Sequence, residues 1–96
     1  MNITISTSDN LRIAAVEGRL DTNTAPELEG ALNNITADIL LECTALEYVS
    51  SAGLRVILAT HKRLTAVGHS LTLRGIRPEV RSVLDMTGFS RILNIE

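Results

Sequence analysis

The sequence predicts an α/β domain, with a mixed β-sheet of four to five strands and three main helices packed against it. Apolar residues recur at every second position early in the chain and at every third or fourth position further on, so strand-like and helix-like periods alternate. Turn formers and helix caps fall where the period changes. The 96 residues, 45% hydrophobic and 21% charged, make one domain over residues 1–96 with apolar side chains enough for one core.

Asn2, Ile3, Thr4, Ile5 and Ser6 alternate with a period of two, as a strand with one buried face does. Ser8-Asp9-Asn10 is a cluster of turn formers, and Leu11, Ile13 and Ala15 resume the alternation up to Gly18, so a hairpin is expected. From Thr24 the period lengthens: Ala25, Leu28, Ala31, Leu32 and Ile35 line one face of a helix. Thr24-Ala25-Pro26-Glu27 reads as its capping box, with Pro26 in the first turn, and Asn33-Asn34 frays its end. Ile39-Leu40-Leu41 is a continuous apolar run that suits a central strand covered on both faces, and Glu42 to Glu47 reads as a loop after it. Leu54, Ile57, Leu58, Leu64 and Val67 mark a second helix, with Lys62 and Arg63 near its C-terminal end and Gly68 as its C-cap. Leu71 and Leu73 alternate as a further strand. Pro78 opens a third helix through Val80, Val83 and Leu84, which Gly88 stops. Ile92, Leu93 and Ile95 close the chain as a short strand or a docked tail. This order implies right-handed crossovers onto one sheet.

Composition excludes several functions. Nine Lys and Arg against eleven Asp and Glu give a net charge of -2, which provides no positive field for a phosphate backbone or an anionic lipid surface. Tyr48 and Phe89 are the only aromatic residues, too few for a base-stacking platform, so nucleic acid is not an expected partner. One cysteine, Cys43, and two histidines, His61 and His69, make neither an internal disulfide nor a zinc-ligand set, and no metal or cofactor is expected. The start of the chain has no signal-peptide pattern, and no apolar stretch approaches the roughly 20 residues of a membrane span, so a cytoplasmic location is expected.

Tyr48-Val49-Ser50-Ser51-Ala52-Gly53-Leu54 places two serines and a glycine where a strand region meets the second helix. The first N–H groups of a helix lack intrahelical partners and the macrodipole adds partial positive charge, so an anion attached there is stabilised. A phosphoserine fits that description and brings about -1.5 to -2 charges. Serine is also a common N-cap, worth about 1 kcal/mol, and both roles hold together if one serine caps while its neighbour is exposed. A hydrolytic nucleophile elbow needs glycine two residues before the serine, and Val49 stands there, so no catalytic residue is assigned. Neither Ser51 nor Cys43 has a complete catalytic constellation around it. Phosphate-cradling glycine loops are also missing. Gly18-Arg19-Leu20-Asp21-Thr22-Asn23-Thr24, leading into the first helix, is the second polar segment of interest; its plainer reading is a loop and cap.

Together these segments resemble the STAS family, the small domains of bacterial anti-sigma factor antagonists that also occur in sulfate transporters and stressosome proteins. Gly18-Arg19-Leu20-Asp21 resembles the family's G-x-[LIV]-D, and Ile39-Leu40-Leu41 its central strand. Tyr48 to Leu54 is similar to its aromatic-apolar-D-S-[ST]-G-L signature, with Ser50 and Ala52 at the aspartate and Ser/Thr positions. Gly68 with Leu71-Thr72-Leu73 resembles the next strand, and Val83-Leu84-Asp85-Met86-Thr87-Gly88-Phe89 the third helix.

The resemblance implies a STAS-like fold and a partner switch without enzyme activity. Unphosphorylated, such a protein binds an anti-sigma factor that is a serine kinase of ATPase fold and so frees a sigma factor for transcription. Phosphorylation by that kinase breaks the complex, and a serine phosphatase resets it. Ser51 falls on the phosphorylated serine, with Ser50 as the alternative acceptor, and Asp21 on the acidic residue that contacts the kinase. The implied partner surface comprises Asp21, Thr22, Asn23, Ser50, Ser51, Ala52, Gly53 and Arg55. An alternative within the family is a structural subunit of a lipid-transport ATPase complex that does not switch. Neighbouring genes for an ATPase-fold kinase or for a transporter would separate the two.

Overall fold

The computed structural model spans residues 1–96 and orders them as strand β1 (Asn2–Ser8), strand β2 (Leu11–Leu20), helix α1 (Ala25–Leu32), strand β3 (Asp38–Val49), helix α2 (Ser51–Ala66), strand β4 (Leu71–Arg74), helix α3 (Pro78–Thr87), a 3₁₀ turn (Phe89–Arg91) and strand β5 (Asn94–Ile95). The five strands form one mixed sheet in the order β1-β2-β3-β4-β5. β1 and β2 make the expected hairpin, paired antiparallel from Asn2↔Glu17 to Ser8↔Leu11, and its two-residue turn holds Asp9 at φ 55°. The other neighbours are parallel. Each crossover steps to the next strand in the same direction, and right-handed connections then bring all three helices to one face.

That face holds the core. Ala14, Val16 and Leu20 of β2, Ile39, Leu41, Cys43, Leu46 and Val49 of β3, and Leu71 and Leu73 of β4 join buried residues of α1, α2 and α3 in one cluster. The other face carries the Arg74–Glu42 ion pair at 2.6 Å and the Arg19 guanidinium 4.1 Å above the Tyr48 ring. Leu40 also points that way, buried between Ile13 and Thr72, but no helix covers this face and Tyr48 further along β3 is exposed on it, so the strand is covered on both faces only at Leu40 and not along its length as its apolar run implies.

Four expectations are corrected. Residues 42–47 are strand, because β3 stays paired with β2 to its end, through two register shifts that each insert one extra residue on β3. No capping box forms at Thr24: its hydroxyl accepts from the Asp21 N–H at 2.8 Å and donates to the Arg19 carbonyl at 2.8 Å, which turns it away from the helix. Helix α1 stops at Leu32, so Ile35 packs on the core from beyond it. Val67 is the residue that caps α2 and is 56% exposed, not part of the buried stripe. Gly68 follows it in the left-handed region at φ 84°, and the Gly68 and His69 N–H groups bond back to the Thr65 and Leu64 carbonyls.

Pro78 and Gly88 bound α3 as expected, and the end of the chain forms a short strand. Arg63 ties α2 to α1 by donating to the Leu32 and Ile35 carbonyls, both at 2.8 Å, at the C-terminal end of α1. No helix is long and apolar enough to cross a membrane.

Candidate functional site

Parallel pairing brings the carboxyl ends of β2 and β3 side by side, at Leu20↔Val49. The residues that follow therefore meet: Asp21-Thr22-Asn23 after β2, and Ser50-Ser51 at the start of α2. A hydrogen bond from the Ser50 N–H to the Leu20 carbonyl, 2.8 Å, fastens the two segments together.

The two serines differ in role. Ser50 has extended backbone angles, φ -95° and ψ 174°, and its Oγ accepts from the Gly53 N–H at 3.3 Å, so it is the N-cap of α2. Ser51 is the first helical residue and is exposed, with its hydroxyl free of that duty. One caps while the other faces solvent.

Asp21 is fixed by the turn it starts. Its Oδ1 accepts from the Thr24 N–H at 3.1 Å and the Asn23 N–H at 3.0 Å. The Thr24 N–H above all, then the Asn23 N–H, the Thr24 hydroxyl and the Arg19 charge hold its carboxyl below the usual range, against a smaller opposing effect of desolvation. The site thus keeps a carboxylate, oriented by backbone donors, one strand across from Ser51.

Thr22, Ala52 and Arg55 line a groove of about 350 Å³ between α1 and α2, together with Pro26, Val56 and Ala59. A second hollow of about 310 Å³, between α2 and the end of α3, is lined by Ser51, Leu54, Arg55, Leu58, Thr87 and Phe89. Ser51 thus belongs to the second hollow, and Arg55 borders both. Gly53 sits lower: it is buried, and a Cβ there would come within 2.5 Å of Leu20 Cγ. Its contribution to this end of the molecule is to let α2 close onto β2. All eight residues singled out in the sequence fall at this one end.

The sequence marks Leu20 and Thr24 within the second polar segment but not their contacts, and it does not mark the floor of the first groove. The Thr24 hydroxyl serves Asp21 and not the helix, since Asp21 three residues earlier offers a competing turn. Ala52, Val56 and Ala59 stand at i, i+4 and i+7 along α2, a helical spacing from which the groove floor was legible. Cys43 takes no part: it is fully buried, and burial pushes its thiol up to about 12. No group of three or more His, Cys, Asp or Glu side chains is placed to hold a metal ion.

A five-stranded mixed sheet covered on one face by three helices, with two polar segments brought together at its strand ends, is the architecture of a small α/β domain. The chain belongs to the STAS domain family, whose model matches residues 2–96. Among relatives, BtrV of Bordetella bronchiseptica, named for anti-sigma factor antagonism, is 33% identical over 99 residues, covering 99% of this chain and 85% of that protein. Among solved structures, an anti-sigma factor antagonist from Thermotoga maritima superposes with a TM-score of 0.89 at 21% identity, covering 97% of this chain and 84% of its own. The anti-sigma factor antagonist SpoIIAA in its unphosphorylated form gives 0.82 at 18% identity, covering 99% and 88%. SpoIIAA of Bacillus in the phosphorylated form gives 0.76 at 17%, covering 99% and 91%.

Proposed function

We propose that this chain is an anti-sigma factor antagonist that works by partner switching, with Ser51 as the switch. Unphosphorylated, it binds an anti-sigma factor that is also a serine kinase of ATPase fold. Phosphorylation of Ser51 releases it, and a serine phosphatase restores it. The protein acts by binding and not by catalysis.

The observation that carries this reading is the division of labour between the serines: Ser50 caps the helix through its Oγ, leaving Ser51 exposed in the first turn. This favours Ser51 over Ser50 as the acceptor, because modifying Ser50 would disrupt the cap. Similarity to BtrV supports the antagonist class, and SpoIIAA shows that a protein of this fold occurs in both phosphorylated and unphosphorylated forms.

Electrostatics give the switch its direction. A neutral hydroxyl enters an interface as donor and acceptor at little cost. A phosphate of about -1.5 to -2 charges must be desolvated, and Asp21 across the strand ends adds like-charge repulsion. Burying it unpaired costs several kcal/mol, enough to move a complex from mostly bound to mostly free.

The test pairs this chain with each ATPase-fold serine kinase that its source genome encodes. Calorimetric titration with the wild type, Ser51→Ala and Ser51→Glu is expected to give tight binding for the first two and weak binding for the third. Incubation with ATP should add one phosphate to the wild type and none to Ser51→Ala. Equal affinity of Ser51→Ala and Ser51→Glu would sink the reading. Asp21→Ala is expected to weaken the same complex while the domain stays folded, and unchanged affinity would remove Asp21 from the surface.

A further inference from the structure

The sheet ends on one side in β1, whose outer edge has no strand beside it. Edge strands usually avoid foreign partners through short length, charge, proline or a bulge. β1 uses none of these. It runs for seven residues, Asn-Ile-Thr-Ile-Ser-Thr-Ser, holds unbroken register with β2 throughout, and carries no charge and no proline. The opposite edge strand, β5, is only two residues long.

The core also continues outward to this edge. On the helix side of β1, Ile3 lies across from Val16 and Ile5 across from Ala14, both of which are buried. Ile5 itself is 40% exposed, so the apolar layer stops uncovered at the rim.

We propose that β1 pairs with β1 of a second copy of this chain, antiparallel about a two-fold axis, joining two five-stranded sheets into one. Self-pairing fits this strand in particular. Across a two-fold axis the residue on the axis meets its own copy and its neighbours lie diagonal to theirs, so a charge at the centre of the strand would sit close to a like charge, and Asn2–Ser8 has none. With Thr4 on the axis, Ile3 of each copy sits opposite Ile5 of the other, and both exposed isoleucines are covered. The open N–H and C=O groups of the two edges supply the hydrogen bonds. One strand pair buries less than the roughly 1,200–2,000 Å² of a stable interface, so the association is weak and concentration-dependent. It is independent of the Ser51 switch.

Sedimentation velocity of the full chain from about 20 µM to about 1 mM tests this. The weight-average mass is expected to climb from one copy toward two, with amide exchange over residues 2–8 slowing as concentration rises. Ile5→Lys and Thr4→Lys place like charges next to the axis on the two opposite faces, and each is expected to raise the dissociation constant at least about tenfold. Thr4 is exposed on the face away from the core, so Thr4→Lys retains the fold even if Ile5→Lys disturbs it. A single copy across the whole range would overturn the proposal. So would self-association that survives both substitutions.

Discussion

Replacing Gly53 with alanine sets two effects of known size against each other. Gly53 is the third residue of α2 and has ordinary helical geometry, so alanine gains about 0.5–1 kcal/mol from reduced freedom of the unfolded chain. The added Cβ, however, lands 2.5 Å from Leu20 Cγ, 2.8 Å from Leu20 Cδ2 and 3.1 Å from the Leu20 carbonyl oxygen. Leu20 is fully buried, so its side chain has nowhere to swing, and its carbonyl is held by the Ser50 N–H. Overpacking of this kind costs about 1–3 kcal/mol. The two ranges leave a net loss between about 0 and 2.5 kcal/mol, and contacts as short as 2.5 Å to a fully buried side chain put it in the upper half, about 1–2.5 kcal/mol, which for a domain of this size lowers the Tm by roughly 5–12 °C. Gly30, in α1, is the control: nothing lies within 4 Å of a Cβ there, so Gly30→Ala should stabilise by about 0.5–1 kcal/mol. Calorimetric melting of both variants against wild type measures the pair. A Gly53→Ala protein as stable as wild type would refute the claim that Leu20 fixes the seating of α2.

Further outcomes concern the cap, the helix tie and acid stability. Ser50→Ala should cost about 1 kcal/mol in urea unfolding through loss of the Gly53 N–H acceptor, whereas Ser51→Ala should cost far less. Arg63→Met keeps the aliphatic stem but removes the charged donors to the Leu32 and Ile35 carbonyls, of which Leu32 keeps the Ile35 N–H, and a loss of about 1.5–3 kcal/mol is expected by the same assay. Asp38 has its carboxyl held down first by the Ser70 N–H and then by the His69 ring, so its stabilisation is present above the ordinary carboxylate range near pH 4 and is lost as pH falls below it. Asp21, Glu42 and Asp85 are lowered too and act with the same sign. Stability should therefore fall with acidification below roughly pH 4, and Asp38→Asn should flatten that slope in denaturant titrations.

What could be read from the chain follows from how regular each piece is. In β2 the alternating Leu11, Ile13 and Ala15 lie on the face away from the core and Ala14 and Val16 enter it, so the hairpin was legible but not its buried face, whereas α2 and α3 obey one helical period over most of their length. The later half of β3 obeys no single period. Its buried residues Cys43, Leu46 and Val49 fall three apart because each register shift inserts a residue, and that spacing imitates neither strand nor helix. Thr24 misled for a different reason: capping-box residues were present, but a tertiary turn around Asp21 used the hydroxyl first. The start of α2 was legible because serine and glycine act there through local geometry. The grooves beside it were not, since their walls come from α1 and α3, far away in the chain.

The two extra residues in β3 also make chain length here an adjustable quantity. β2 and β3 finish together at Leu20 and Val49 although, from Ala15 and Glu42 onward, β3 has advanced two residues more. Deleting one residue between Thr44 and Glu47 would remove one insertion and restore regular pairing there, with Val49 still opposite Leu20 and facing the core. Ser50 and Ser51 would keep their places, one capping α2 and the other exposed. Exposed Thr44 and Glu47 tolerate substitution, whereas a polar residue at Leu46, buried between the two insertions, is not tolerated.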